Sequence, residues 1–315
     1  MEKDLPDIQA ILPKVNFKLT RVGVTNVTKQ IVVKRPDRNV ILQPTINLYV
    51  DLPSTKKGAD MSRNVEIIEE IVENSIKTPC SSIEDLGENI VKMMSKRHPY
   101  ATRMEVEIFS DYFLDRKNPS GKVTQERYRI FSKVVMENKK IRKMIGVTST
   151  GISVCPCAME TVRAHLKERY PEYSDFLDRI PVPSHNQRNN LTILIEIPEG
   201  NSVEINDLIE IAEKSYSNST YEILKRKDEM ELVLKAHENP KFVEDVVREA
   251  LKLIYDRYRD FPDDTIITVK SESEESIHKH NAFAERICTL KEIKEEENNS
   301  GEHDKKNKYN RECCT

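Results

Sequence analysis

The 315-residue sequence is 33% charged and 37% apolar, has no Trp and only 8 Gly, and carries a formal net charge of -3. Length allows one large domain or two ordinary ones, while the near-neutral balance argues against wholesale nucleic-acid binding. No apolar run approaches the roughly 20 residues a membrane helix needs. Met1-Glu2-Lys3-Asp4 lacks the basic and apolar stretches of a secretory signal. Six dispersed Cys, two of them (Cys313, Cys314) in a polar tail, make no disulfide framework, so a soluble protein of a reducing cytoplasm is expected.

In chain order, Phe17 to Val33 reads as a strand rich in β-branched residues, and Ile41 to Leu52 as a second, with Ile46, Leu48 and Val50 alternating. Lys56-Lys57-Gly58 turns into a helix capped by Ser62 and carrying Val65, Ile68, Ile71 and Val72. Ser82 opens another helix, with Ile83, Leu86, Ile90 and Met94 on one face. Strands follow at Arg103 to Phe109 and Gln125 to Met136, joined through the turn Asn118-Pro119-Ser120-Gly121. The first half is therefore β-β-α-α-β-β.

A looser copy follows. Arg142 to Val154 is a strand, and a helix and a Pro-punctuated loop intervene before the strand Leu191 to Ile197. Ile205 to Ser215 and Lys241 to Tyr258 read as helices, the second with Asn239 as cap and Pro240 in its first turn. Strands at Thr265 to Val269 and near His278 to Phe283 close the domain. The expected units are residues 1–138 and 139–290, and the charged stretch 291–315 reads as a disordered tail.

Chemistry-bearing residues fall in short segments. Cys155-Pro156-Cys157 ends a strand, because Pro156 removes a backbone donor. Its i, i+2 spacing is not that of a structural zinc knuckle, and two small buried hydrophobes are the plain alternative. His185-Asn186-Gln187-Arg188 is either a polar loop or a strand-end pocket in which Arg188 holds a phosphate. His278 and His280 would share one face of an extended strand, and Glu272, Glu274 and Glu275 lie just upstream to tune them; a charged surface strand is the alternative. Lys225, Arg226 and Lys227 with Asp228 and Glu229 suit a polyphosphate and a metal, or form a solvated charge cluster. Together they offer sulfur, nitrogen and oxygen ligands plus clustered cations, the needs of a metal-dependent enzyme acting on a nucleotide.

These segments resemble the type IB GTP cyclohydrolase family, and more closely its archaeal, iron-dependent branch. The likeness runs from about Val22 to Glu285. It rests on Val22-Gly23-Val24-Thr25-Asn26, Gly58-Ala59-Asp60-Met61-Ser62-Arg63, Cys155-Pro156-Cys157, His185-Asn186-Gln187-Arg188, Leu224-Lys225-Arg226, Asp228-Glu229, Asn239-Pro240-Lys241-Phe242-Val243-Glu244-Asp245 and Glu275-Ser276-Ile277-His278-Lys279-His280. Asp60, where bacterial-type members tend to have His, and the long segment Ala158 to Ser184 both point to the archaeal branch. The resemblance implies an α+β tandem tunnelling fold: two β-β-α-α-β-β units, antiparallel sheets with helices on one face, in a barrel-forming homodimer or homotetramer with interfacial active sites.

It further implies Cys155, His185 and Glu229 as metal ligands, with Cys157 the alternative thiolate and Fe(II) the metal ahead of Mn(II) or Zn(II). Glu244 would anchor the guanine N1–H and 2-amino group. Arg63, Arg188, Lys225 and Arg226 would contact the triphosphate of GTP, and His278 and His280 would serve as acid/base groups or outer metal contacts. The implied reaction is hydrolytic opening of the guanine imidazole ring, with loss of formate and diphosphate, to 7,8-dihydroneopterin 2',3'-cyclic phosphate for tetrahydromethanopterin. Rival readings are a bacterial-type enzyme stopping at 7,8-dihydroneopterin triphosphate, a non-catalytic metal-binding oligomer and, further off, a tunnelling-fold reductase with a Cys nucleophile.

Overall fold

A computed structural model describes residues 7–34 and 39–299, which divide into two compact units. The first takes the described residues up to Tyr112 together with Arg129–Ile145; the second takes Phe113–Tyr128 and the chain from Gly146. Three long strands, β5 (Arg103–Lys117), β6 (Val123–Glu137) and β7 (Lys140–Val154), each contribute residues to both units.

Unit one adds β1 (Leu19–Thr28), β2 (Ile31–Lys34), β3 (Asn39–Leu42), β4 (Thr45–Leu52), α1 (Met61–Lys77) and α2 (Ile83–Arg97). Its sheet runs β1-β4-β5-β6-β7, with β2-β3 a separate hairpin. Alternation on β4 buries Ile46, Leu48 and Val50, the face the helices cover with Ile67, Ile68, Leu86, Ile90 and Met94. Packing is close enough that a Cβ on Gly87 of α2 would lie 2.7 Å from Val134 of β6, so only glycine fits there. Asp51 is buried at the end of β4 and accepts from Thr102 N (2.7 Å), Thr102 Oγ1 (2.6 Å) and Arg103 N (2.8 Å). Burial pushes its pKa up, but these hydrogen bonds outweigh that and hold it below the ordinary carboxylate value.

Unit two adds α3 (Pro156–Arg169), a 3-10 turn (Pro171–Tyr173), α4 (Ser174–Leu177), β8 (Asn186–Ile197), α5 (Ile205–Ser215), β9 (Asn218–Ser219), α6 (Arg226–Glu238), α7 (Val243–Tyr258), β10 (Ile266–Ser273) and β11 (Ala282–Thr289). The strand order is β5-β6-β7-β8-β10-β11, with β9 on β7. In the antiparallel β8–β10 pair, Ile195 faces Ile267, Ile193 faces Val269, Leu191 faces Ser271 and Asn189 faces Ser273. All eight are buried, so the inward face changes from aliphatic to polar toward one end. That end carries the candidate site. With β2-β3, α3-α4, β9 and α6 set aside as insertions, β1-β4-α1-α2-β5-β6 and β7-β8-α5-α7-β10-β11 repeat the expected β-β-α-α-β-β order, and the fold is α+β as anticipated.

Several local expectations need correction. The first strand is broken at Lys29-Gln30 into β1 and β2, and α1 begins at Met61, placing Ser62 inside the helix rather than at its cap. Ser82 does cap α2, its side chain accepting from Asp85 N at 3.2 Å. Asn239 ends α6 instead of starting α7, whose N-terminus is closed by Phe242 N donating to Asp245 Oδ2 (3.1 Å). The expected disordered tail begins as a helix over residues 290–299. It is started by a reciprocal cap between Thr289 and Glu292, and Leu290 and Ile293 are buried one turn apart. The rest of that tail, with Cys313 and Cys314, and the opening Met1-Glu2-Lys3-Asp4 lie outside the described residues.

Candidate active site

Cys155 sits where β7 stops. Pro156 at the first helical position has no N–H to satisfy and starts α3, leaving Cys155 as the cap residue with its Sγ accepting from Ala158 N at 3.4 Å. The segment that leaves at Cys155 returns to it: Cys155 N donates to His185 O (3.1 Å), and Ser184 Oγ donates to Cys155 O (2.6 Å). Between these ends α3 and α4 form a small apolar cluster of Val154, Met159, Leu177 and Val182 with Ala236 of α6. The long excursion is thus a closed appendage whose two ends, Cys155 and His185, are joined by hydrogen bonds and both line the same pocket.

The imidazole is oriented. His185 Nδ1 lies 2.8 Å from Gln187 Oε1, an atom that only accepts, so Nδ1 donates there and Nε2 is the ring nitrogen not used by that bond. Gln187 Nε2 in turn donates to Glu275 Oε1 at 3.1 Å, and Glu275 Oε2 is 3.6 Å from His185 Nδ1. His278 meets the His185 ring edge-on at 6.2 Å and stacks on His280 at 5.0 Å and 19°. The His pair does come together, but not through strand alternation. Residues 274–281 form the β10–β11 loop, β11 starting only at Ala282.

These groups line one pocket of about 280 Å³, together with Glu244 in the first turn of α7, Lys241, Phe242 and Phe283. Glu244 is set there by a strap over residues 215–219. Tyr216 is buried against Gly151, where a Cβ would fall 2.1 Å from its ring. The Tyr216 hydroxyl donates to Ser149 O (2.6 Å) and accepts from Leu191 N (3.0 Å). Asn239 Nδ2 reaches Tyr216 O and Ser217 O at 3.3 Å each. Lys241 Nζ donates to Ser215 O (3.1 Å) and its backbone N to Val154 O (3.0 Å), so one residue links the strand end before Cys155 to the start of the Glu244 helix. Burial pulls the Lys241 pKa below that of a free lysine, against Glu249 and Asp245, which raise it.

Of the expected site residues, Cys155, His185, Glu244, His278 and His280 converge here. Glu229, Lys225 and Arg226 do not line the pocket. They are exposed at the N-terminus of α6, which is tied to the β5–β6 turn by Ser120 Oγ to Asp228 Oδ2 (2.9 Å) and Asn118 Nδ2 to Ile223 O (2.9 Å). Arg188 is exposed on β8 outside the pocket, and Cys157 is exposed in the first turn of α3. Arg63, in unit one, pairs with Asp60 (3.2 Å) and donates to Arg97 O (2.7 Å). Among the described residues no three His, Cys, Asp or Glu side chains are already gathered as a metal site. Gln187, Lys241, Ser153 and Ser273 were given no role from sequence; only the position of Gln187 two residues after His185 signalled a partner.

A pocket of this kind at the end of an α+β tandem-repeat sheet defines a tunnelling-fold protein. The fold matches that of a uricase from Bacillus fastidious (TM-score 0.51, 9% identity, 89% of this chain and 95% of that one). It likewise matches a hyper-thermostable uricase mutant (TM-score 0.53, 7% identity, 86% and 92%). At such identity the likeness concerns the fold alone.

Residues 5–284 match the family described as type I GTP cyclohydrolase folE2, and the chain belongs to that family. GTP cyclohydrolase MptA 2 of Methanocella arvoryzae is 42% identical over 93% of this chain and 98% of that protein. GTP cyclohydrolase MptA of Methanobrevibacter smithii is 44% identical over the same shares.

Proposed function

We propose that this protein is a metal-dependent GTP cyclohydrolase that opens the guanine imidazole ring, releases formate and diphosphate, and forms 7,8-dihydroneopterin 2',3'-cyclic phosphate for tetrahydromethanopterin synthesis. The carrying observation is that Cys155, His185, Glu244, His278 and His280 share one pocket. Family membership and relatives named as GTP cyclohydrolases across nearly their whole length support the same reading.

Glu244 is exposed to the pocket and offers two acceptor oxygens, the complement of the N1–H and 2-amino donors of guanine. The stacked His278 and His280 sit beside the thiol and His185, placed to carry protons between ring nitrogens and water as C8 is hydrolysed. The donor set fits a divalent metal: Cys155 sulfur and His185 Nε2 suit Fe(II) or Zn(II) without choosing between them, Mn(II) would lean on an added oxygen ligand, and Fe(II) follows from the archaeal resemblance. When bound, such an ion supplies Lewis acidity for hydrolysis at neutral pH.

Glu229 remains the proposed third ligand only if a second subunit delivers it, since its exposed place on α6 leaves it free to face a neighbour. That supports a homo-oligomer with shared sites, a dimer or tetramer, in which Arg63, Arg188, Lys225 and Arg226 would gather on the triphosphate.

Anaerobic incubation with GTP and, separately, Fe(II), Mn(II) or Zn(II), assayed for formate and by phosphorus NMR, tests the reading. Formate with one equivalent of diphosphate is expected. A triphosphate product would move the protein to the bacterial-type reaction, and no formate with any of the metals would remove the enzyme reading.

A further inference from the structure

Beneath the pocket runs a ladder of small polar side chains near the ends of three strands. Ser271 Oγ donates to Asn189 Oδ1 (2.8 Å), and Asn189 Nδ2 donates to Ser153 Oγ (2.9 Å). Ser153 and Ser273 both line the pocket, although they are only 1% and 0% exposed. Ser273 differs from the rest of the ladder. Its hydroxyl is buried with no hydrogen-bond partner among the described residues.

An aliphatic side chain would fill that position as it does further along the same face, at Val269 and Ile267. A buried hydroxyl left without a partner is destabilising, so its place is explained by a group that arrives from the pocket side. Backbone pairing fixes it well: Ser273 lies between Asn189 of β8 and Ala282 of β11, two residues before Glu275 and next to the thiol–imidazole end.

We propose that the Ser273 hydroxyl is a binding contact to the base of the bound nucleotide, donating to an acceptor atom of the purine ring while Glu244 takes its N–H donors. This rests on the guanine reading of the same pocket and adds to it a second, polar recognition point. A site built around a hydroxyl–ring hydrogen bond loses that bond without compensation when the hydroxyl is deleted.

The test compares full-length wild type with Ser273→Ala and the nearly isosteric Ser273→Cys, a weaker donor. Calorimetric binding of GTP, guanosine and inorganic tripolyphosphate is measured without added metal, alongside the thermal midpoint. The expected result is opposed signs. In Ser273→Ala, GTP and guanosine bind about tenfold more weakly, tripolyphosphate is unaffected, and the midpoint is unchanged or higher because an orphan hydroxyl has gone. Ser273→Cys falls between.

A lowered midpoint with unchanged guanosine affinity would make the hydroxyl structural and overturn the assignment. Equal losses for guanosine and tripolyphosphate would overturn it too. Wild-type protein that binds neither GTP nor guanosine would instead remove the guanine reading on which the assignment stands.

Discussion

Tyr216→Phe is the most demanding test of how the site is held. Thr148 Oγ1 meets Thr192 Oγ1 at 2.8 Å, and Thr150 Oγ1 donates to Asn190 Oδ1 at 2.7 Å, so Ser149 stands opposite Leu191 across β7 and β8. At that point the Tyr216 hydroxyl stands in for a ladder hydrogen bond, taking the Leu191 N–H and giving to the Ser149 carbonyl. Removing one oxygen strips two buried backbone groups of their partner while leaving the ring packed on Gly151. At about 1–3 kcal/mol for each unsatisfied buried group, offset by partial re-closure of the strands, a loss of about 2–4 kcal/mol follows. For a chain of this size that lowers the thermal midpoint by roughly 3–6 °C. Because the strap also carries Ser215 and Ser217, to which Lys241 and Asn239 are bonded, the KM for GTP should rise more than kcat falls. Differential scanning calorimetry and steady-state formate release read the two effects. A midpoint within about 1 °C of wild type would refute the bridging role, since even a single orphaned group costs more than that.

Lys241→Met should leave the fold intact and raise the GTP KM about tenfold, for loss of one charge-assisted bond of ~1.5 kcal/mol; an unchanged KM would show that the tether does not set Glu244. Cys155→Ser should bind Fe(II) far more weakly than wild type by equilibrium dialysis while Cys157→Ser retains it, and the reverse order would exchange their roles. Asp51→Ala should cost ~2 kcal/mol or more at pH 7 through its lost hydrogen bonds. The folded-state pKa of Asp51 is depressed, so its contribution is fully present above the ordinary carboxylate value near ~4 and is lost as pH falls through the lower folded value. The stability gap between variant and wild type, measured by urea unfolding, should therefore narrow on acidification below about pH 4, and a gap that widened there would contradict the sign.

Much of the fold was legible because burial imposes simple periods. Ile46, Leu48 and Val50 on β4, the apolar face of α2 behind its Ser82 cap, and α5 to its terminal residues Ile205 and Ser215 follow directly. α6 was hidden because it buries only Asp228, Leu232 and Ala236 while Met230, Val233 and Leu234 are exposed, so its stripe looks like a charge cluster. The helix over 290–299 was hidden by its acidic and basic surface, although Thr289-Leu290-Lys291-Glu292 carries a capping-box signature. Within the site, ligand types were readable but geometry was not. His278 and His280 meet through a loop rather than a strand, and the Ser153–Asn189–Ser271 ladder joins residues far apart in sequence and ordinary in type.

The pocket shared by Glu244, Cys155 and His185 is proposed to read guanine through Glu244. Formate release from GTP by Glu244→Gln, under the metal conditions that give the wild type its highest rate, tests it most directly, because a carboxamide presents one acceptor where guanine offers two donors. A loss of at least about a hundredfold in kcat/KM, equivalent to ~2.7 kcal/mol, is predicted. Wild-type turnover by Glu244→Gln would contradict it.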